Sequence, residues 1–379
     1  MNRVLIASDS FKGSATSTEI AKYITTGILR ADETAQIDAV SIADGGEGTV
    51  CSVVAATGGR LLETEVAGPL GTPVKATWGL LDDQTAIIEV AESSGITLIQ
   101  DQLDAGKTTT FGVGQLIKAA LDQQVTKIYV GLGGSATNDG GVGMAQALGG
   151  HFYDHAGQEL PHGANALCDL EKIDLTTIDP RLKTVKVIGL SDVNNPLTGE
   201  EGASQVFGPQ KGASQKQVAE LDRNLQCLAR IVEQTSNVDY ATQAGAGAAG
   251  GTGFGLMAFC QAEIKSGINE IINLLQLDQR MQNVDLVITG EGQIDGQSLH
   301  GKLPVGVAHL AKQHDLPVIA IVGSIGHDLE EIYKAGFNLV LASTSRPMTL
   351  QQATKDIALL VADAGYTAFK AFESFRQES

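Results

Sequence analysis

The feature that most constrains this chain is a glycine-rich, acid-bearing segment at residues 289–302, which follows an apolar run and precedes a helical pattern. The apolar run 284–288 predicts a buried strand, and residues 303–313 have the spacing of an amphipathic helix. A loop between a strand and a helix is a common anion site in α/β proteins, because the first N–H groups of the helix lack partners within it. The segment therefore predicts a phosphate and metal site.

The same segment nearly matches a Walker A loop. Gly301 and Lys302 fit the motif, but Leu303 stands where a Ser or Thr hydroxyl should reach Mg²⁺, so a P-loop ATPase is disfavoured. Glu291 and Asp295 precede the lysine and offer the carboxylate oxygens that Mg²⁺ prefers. The alternative left open is a glycine-rich turn with solvated acids.

Charge and cysteine usage narrow the function classes. The formal net charge of -18 argues against nucleic acid or an anionic membrane surface as the main partner, and leaves a small-molecule substrate open. No apolar run has membrane length. Cys51, Cys168, Cys227 and Cys260 have no paired spacing, so we expect reduced core residues in a cytoplasmic protein.

The order of predicted elements indicates an α/β fold with two domains. Residues 3–7, 16–29 and 37–42 form a strand, helix and strand, and Thr16 with Glu19 gives the helix a capping box. Residues 63–92 alternate in polarity, which predicts antiparallel hairpins. Strand–helix alternation returns after residue 284, with strands predicted at 284–288, 318–322 and 337–341 and a final helix from residue 349 into the tail. We therefore expect a parallel-sheet domain from residues 1–66 plus 285–379, with an α/β domain of residues 67–284 inserted into it.

Two glycine motifs in the middle of the chain invite a dinucleotide interpretation. The run 131–136 fits G-x-G-x-x-A after a predicted strand, and Asp154 lies where a ribose-binding acid would be expected. The loop continues as Thr-Asn-Asp-Gly-Gly, however, so no helix can begin at the third fingerprint position. The run 245–250 also fits the pattern, but no convincing strand precedes it. An NAD-dependent oxidoreductase is the weaker alternative.

Charged side chains follow several predicted strands, where open α/β sheets bind ligands. Asp192 suits a catalytic base or Mg²⁺ ligand, and Arg346 could clamp a carboxylate. The plainer interpretations are an Asx turn and a surface ion pair. The remaining candidates at strand ends are Lys12, Asp44 and Glu47. Their convergence on one kind of position favours an enzyme over a scaffold, and a ligand-binding sensor is a third class.

Six motifs in this order resemble the bacterial class I glycerate kinases. They are residues 8–14, 43–49, 133–141, 191–197, 207–212 and 289–297, the last followed by Gly301 and Lys302. The resemblance implies ATP-dependent phosphorylation of D-glycerate with Mg²⁺, leaning toward the 2-hydroxyl, with the 3-hydroxyl as alternative. It also implies a flavodoxin-like domain with a second α/β domain inserted, and an active site in the cleft between them.

The resulting hypothesis gives each candidate residue a role. Asp192 is the base, although the sequence leaves open which carboxylate acts; Lys12 and Lys302 bind phosphates or the glycerate carboxylate. Glu291 and Asp295 hold Mg²⁺, and Asp295 is also a catalytic candidate. The glycine loops bind ATP phosphates through Gly133, Gly134, Ser135, Asn138, Asp139, Gly250 and Gly251. The substrate candidates are Ser10, Asp44, Glu47 and Arg346. Oligomeric state stays open, with a homo-oligomer among the options.

Overall fold

The structure is a computed structural model that describes residues 2–42, 48–299, 303–327 and 329–377. The chain divides into two compact units, Met1–Asp44 with Ile268–Ser379, and Gly45–Gly267. The candidates Asp44, Glu47 and Lys302 lie outside the described residues.

The secondary structure alternates between strands and helices along the chain. The strands are β1 (Arg3–Ser8), β2 (Gln36–Ser41), β3 (Arg60–Ala67), β4 (Pro73–Asp82), β5 (Thr85–Glu89), β6 (Lys127–Gly131), β7 (His151–Asp154), β8 (Leu170–Asp174), β9 (Lys186–Leu190), β10 (Glu263–Lys265), β11 (Leu286–Gly290), β12 (Gln293–Ile294), β13 (Val318–Val322), β14 (Ser324–Ile325) and β15 (Leu339–Ala342). The α-helices are α1 (Ser17–Ala31), α2 (Thr49–Thr57), α3 (Val90–Ser94), α4 (Phe111–Asp122), α5 (Val142–Ala147), α6 (Ala203–Phe207), α7 (Gln215–Ser236), α8 (Ala248–Cys260), α9 (Gly267–Leu274), α10 (Leu277–Met281), α11 (Leu303–Gln313), α12 (Leu329–Lys334), α13 (Leu350–Lys355) and α14 (Ile357–Gln377).

The first unit is built on a parallel sheet in the order β2-β1-β11-β13-β15. Taken in chain order within the unit, this is the flavodoxin-type arrangement 2-1-3-4-5, whose switch point lies between β1 and β11. Ligands of such sheets bind beyond the carboxyl ends of the two strands at the switch point. Both chain ends contribute strands, which confirms the predicted α/β class with a parallel sheet.

Helix α1 shows how local sequence and core packing agree in this unit. The Thr16 side chain accepts from the backbone N–H of Glu19, and the Glu19 carboxylate accepts from the backbone N–H of Thr16. The predicted capping box is therefore confirmed. Ile20, Ile24 and Ile28 recur at helical spacing and are fully buried against the sheet core.

The second unit contains a mixed sheet in the order β10-β9-β6-β5-β4-β3. Strands β5, β6, β9 and β10 are parallel, so their carboxyl ends share one edge. Strands β3, β4 and β5 pair antiparallel, which confirms the predicted hairpins in residues 63–92. The shared edge is where the loops after β6 and β9 emerge.

Some predictions from the sequence need correction. The final helix, expected to run unbroken from residue 349, is interrupted at Asp356 between α13 and α14. Cys260 is buried, but Cys51 and Cys168 are exposed, so the prediction that the cysteines are core residues is wrong for these two. Among the described residues, none of the helices combines the length and apolar character needed to cross a membrane.

Candidate active site

The switch point of the first unit carries two acidic side chains. Asp9 follows β1 and Glu291 follows β11, and both are nearly buried. The backbone N–H of Asp9 donates to the Gly290 carbonyl at 2.9 Å, and the Asp9 carboxylate accepts from the Ser10 N–H at 2.6 Å. The two strand ends are therefore fixed to each other, and their carboxylates lie at the position where this fold binds ligands.

A cavity of 590 Å³ opens at these strand ends. Its polar lining includes Asp9, Ser10, Lys12 and Glu291. Its apolar lining includes Phe11, Leu303, Met348, Leu350, Ala353 and Ile357. The volume falls in the range of small-molecule sites, which combine apolar walls with a few polar groups. This arrangement can bind an anionic small molecule or its metal complex.

Some of the candidate residues predicted from the sequence in this unit line the cavity, and others are not among its lining residues. Ser10, Lys12 and Glu291 line the cavity, with Lys12 exposed. Asp295 is half-buried, and its carboxylate accepts from the Gln293 side-chain amide at 2.9 Å. Arg346 is exposed. The proposed contacts of these residues with substrate or metal stay predictions. Asp9 was missed, although its position directly after a strand was the signal used for the other candidates.

In the second unit, the loop after β6 is organised around the buried carboxylate of Asp139. Thr110 donates to this carboxylate through its backbone N–H at 2.8 Å and through its hydroxyl, and the N–H groups of Gly141 and Gly143 donate at 3.2 and 3.3 Å. Burial raises the pKa of Asp139, and the hydrogen bonds from Thr110 and the glycines act in the opposite direction. Asp139 therefore ties the loop to the start of α4.

The hydrogen bonds of this loop leave its tip as the accessible part. The N–H of Ala136 donates to Ser94, and that of Gly140 donates to Gly250. Residues 135–140 are buried, whereas Gly133 is half-buried and Gly134 is exposed. Assignment of Gly133, Gly134, Ser135, Asn138 and Asp139 to ATP stays a prediction, and exposure favours its first two members.

The glycines in the first turn of α8, where the backbone is not helical, pack directly on this loop. A Cβ on Gly250 would lie 1.8 Å from the Thr137 carbonyl oxygen, and one on Gly251 would lie 2.8 Å from the Gly140 Cα. Both glycines have positive φ, and so does Ala249. Backbone therefore approaches backbone so closely that only glycine fits. Gly250 and Gly251 are buried, and their predicted contact with ATP is untested.

Lys211 lies beneath the same loop and was given no role by the sequence. Only 2% of its surface is exposed; its ammonium donates to the Ser135 hydroxyl at 2.9 Å and to the Thr137 carbonyl at 2.7 Å. Burial lowers the pKa of Lys211 to about 7, while nearby Asp139 raises it. A lysine normally stays exposed, so nothing in the local sequence signals this burial.

Two buried polar atoms without hydrogen-bond partners belong to the same loop. In the part of the chain that the structure describes, neither the Thr137 hydroxyl nor the Asn138 side-chain carbonyl has a partner. The Asn138 amide donates to the Ser204 hydroxyl at 2.9 Å. An unsatisfied buried polar atom costs about 1–3 kcal/mol, and such atoms call for a functional explanation.

Asp192 follows β9 on the shared edge of the second sheet. Its carboxylate accepts from the Ser266 hydroxyl at 2.7 Å, and Ser266 directly follows the neighbouring strand β10. The backbone reinforces this pairing, because the Ser191 N–H donates to the Lys265 carbonyl at 2.9 Å. Asp192 is half-buried, so part of its surface is accessible to a ligand. Ser266 was not found from the sequence.

Comparison with known proteins places this arrangement in a family. A family model described as the glycerate kinase family matches residues 4–373. The chain belongs to the glycerate kinase family. It is 45% identical to the glycerate 2-kinase of Escherichia coli K12 over 93% of each chain. It is 44% identical to the glycerate kinase of Bacillus subtilis 168 over 94% of each.

A solved structure supports the same assignment. The crystal structure of a glycerate kinase 2 from Salmonella typhimurium LT2 superimposes with a TM-score of 0.87 at 41% identity, and the match covers 100% of both chains. Membership of the glycerate kinase family, predicted from the six motifs, is therefore confirmed, and the protein is a kinase.

The geometry around residues 131–136 does not favour the oxidoreductase alternative. Helix α5 begins only at Val142, beyond the third fingerprint position, so it cannot present its N-terminus to a pyrophosphate there. Asp154, the candidate ribose acid, accepts from the N–H groups of Ala156 and Gln158 within a turn. Further along the chain, Gly141 and Gly143 donate backbone N–H groups to the Asp139 carboxylate.

Proposed function

We propose that this protein transfers the γ-phosphoryl group of ATP to the 2-hydroxyl of D-glycerate, giving 2-phosphoglycerate and ADP, with Mg²⁺ as cofactor. The observation that carries the proposal is the nearly full-length similarity to a protein named glycerate 2-kinase. This similarity also favours the 2-hydroxyl over the 3-hydroxyl. A cytoplasmic location follows from the need for ATP.

Asp192 is the base in this proposal. The substrate O–H bond breaks as its proton moves to the Asp192 carboxylate, and the hydroxyl oxygen forms a bond to the γ-phosphorus. The bond from that phosphorus to the bridging oxygen breaks, and ADP leaves. Ser266 holds one carboxylate oxygen by a 2.7 Å hydrogen bond, which restricts the carboxylate to one orientation. A positioned base of this kind contributes about 10²–10⁴-fold.

The residues at the first unit's switch point fit a Mg²⁺ complex. Among the described residues, no cluster of three or more metal-binding side chains occurs. Mg²⁺ needs fewer, because it takes one or two carboxylates and completes its shell with phosphate oxygens and water. Glu291 with Asp295 would hold the ion, and Asp9 lines the same cavity as Glu291. When bound, Mg²⁺ neutralises charge on the phosphates.

The cationic candidates would then bind the anionic groups. Lys12 lines the cavity of Asp9 and Glu291, which supports a role with a phosphate or the glycerate carboxylate. Lys302 is proposed for the same task, and Ser10, Asp44, Glu47 and Arg346 for substrate binding. In the second unit, the accessible tip at Gly133 and Gly134 is the proposed phosphate contact.

A coupled assay of ADP formation tests the function. Purified protein with ATP, Mg²⁺ and D-glycerate should produce ADP, and L-glycerate should be a much poorer acceptor. Omission of the acceptor gives the background of ATP hydrolysis. A change in NAD(P)H absorbance without ADP would instead indicate the oxidoreductase. Thermal stabilisation by D-glycerate with turnover in neither assay would indicate a sensor.

A further inference from the structure

The Lys211 side chain is held at both ends. Lys211 is the last residue of the 3-10 turn Pro209–Lys211. Gly212 follows with φ of +88°, and a Cβ on it would lie 2.6 Å from the Leu103 carbonyl oxygen. At the other end the ammonium donates to Ser135 and to the Thr137 carbonyl. The backbone and the charged group therefore have one available arrangement.

The charge of Lys211 is incompletely balanced inside the unit. Asp139 is the charged group that acts on it, and this carboxylate already accepts from Thr110, Gly141 and Gly143. Asp104, near the turn that packs on Gly212, forms an ion pair with Lys107 at 3.0 Å. An ammonium that is buried with weak compensation favours an anion close by.

We propose that Lys211 is a positioning residue for nucleotide binding, which fixes the tip at Gly133–Ser135 and supplies positive potential to the triphosphate bound there. This role rests on the proposed function, in which the tip at Gly133 and Gly134 contacts the phosphates of ATP. Ser135 connects Lys211 to the tip of the loop. Its hydroxyl accepts a hydrogen bond from the Lys211 ammonium, and it directly follows the exposed Gly134.

Nucleotide affinity then depends on the protonation of Lys211. Because burial brings the pKa of Lys211 to about 7, the ammonium is largely protonated below that pH and largely neutral above it. A bound triphosphate favours the protonated form, so binding above neutrality takes up a proton. The affinity for ATP should therefore fall as the pH rises through neutrality.

Isothermal titration calorimetry with ATP and Mg²⁺, without glycerate, tests this directly. From about pH 6 to about pH 8, wild-type affinity should fall by about tenfold relative to Lys211→Met. The comparison with the variant removes the titration of ATP itself. Measurements in buffers of different ionisation enthalpy should show proton uptake in the wild type and none in Lys211→Met. A purely structural lysine would give no such difference.

Lys216→Met is the matched control, because Lys216 lies exposed on α7 and should behave as wild type. If Lys211→Met fails to fold, Ser135→Ala tests the proposal in its place. This change removes one hydrogen-bond acceptor of the Lys211 ammonium and should weaken ATP binding several-fold. Equal affinity and equal proton uptake in wild type and Lys211→Met, or unchanged affinity in Ser135→Ala, would overturn the proposal. Absence of glycerate phosphorylation by wild type that binds ATP would instead defeat the proposed function.

Discussion

The two candidate regions differ in where their polar side chains lie: in one they line a cavity, and in the other they are enclosed within a loop. At the switch point of the first unit, Asp9, Lys12 and Glu291 line a 590 Å³ cavity, and Lys12 is exposed. In the second unit, residues 135–140 are buried, and Asp139 accepts from several donors. The first region is arranged to exchange a charged ligand, and the second to keep a loop in one conformation.

This difference predicts different consequences of mutation. Substitution of the exposed Lys12 at the open cavity should reduce activity with little loss of stability, because changes at exposed side chains usually alter stability little. Substitutions in the buried loop should reduce stability as well. Asp192 should behave like Lys12, because it is half-buried at a sheet edge.

The largest effect is expected for Asp192→Asn, which removes the base and keeps the shape. The turnover number should fall by about a thousandfold with little change in KM and thermal stability. Steady-state kinetics of D-glycerate phosphorylation give the result, with Asp83→Asn in an exposed turn as control. Turnover near that of wild type would remove Asp192 from the mechanism.

Gly250→Ala should have the largest effect on stability. Its Cβ would lie 1.8 Å from the Thr137 carbonyl oxygen, and its φ of +66° is unfavourable for alanine, so we expect a loss of about 3 kcal/mol or more. Gly157→Ala is the matched control, because Gly157 has φ of +76° and an open Cβ position. It should cost about 1 kcal/mol.

Chemical denaturation of both glycine variants isolates the packing contribution. The difference between them should be about 2 kcal/mol, since the backbone conformation is similar and only the contact differs. Equal losses of unfolding free energy in the two variants would mean that the loop and the glycine run are not tightly packed. The second region would then not be the more rigid of the two.

Lys12→Met tests the open cavity. We expect kcat/KM to fall by about a hundredfold, because a cation at a charged ligand is lost. The melting temperature should hardly change, since Lys12 is exposed. Lys22→Met, on the exposed face of α1, is the control. A large loss of stability with normal kinetics would assign Lys12 to the fold.

Ser266→Ala should have the smallest effect on activity, and it tests whether Ser266 orients the Asp192 carboxylate. Removing the 2.7 Å hydrogen bond should lower kcat by about tenfold at neutral pH. Because a hydrogen bond to a carboxylate favours its charged form, the acid limb of the pH–rate profile should move to higher pH. An unchanged profile would show that Ser266 does not orient the base.

Much of the fold could be predicted because its signals are local. The predicted helix at 303–313 and strand at 318–322 match α11 and β13 at both ends. The helix has apolar residues at helical spacing, and the strand is an unbroken apolar run between Pro317 and Gly323. In both, burial of the apolar residues agrees with the local preference. The acids at strand ends were likewise found because parallel strands share an edge.

The missing parts depend on contacts between distant residues. Lys211 is buried because Ser135 and Thr137, more than seventy residues earlier, provide acceptors. Ser266 acts on Asp192 because β10 pairs with β9, and no motif links the two positions. The exposed positions of Cys51 and Cys168 also follow from packing, which the average preference of cysteine for the interior does not fix.

Phosphorus NMR of the product identifies which hydroxyl of D-glycerate receives the phosphoryl group. Wild-type protein incubated with ATP, Mg²⁺ and D-glycerate should give the resonances of ADP and 2-phosphoglycerate in equal amounts. A 3-phosphoglycerate resonance would contradict the assignment of the hydroxyl. Inorganic phosphate with no phosphoglycerate would contradict phosphoryl transfer to glycerate.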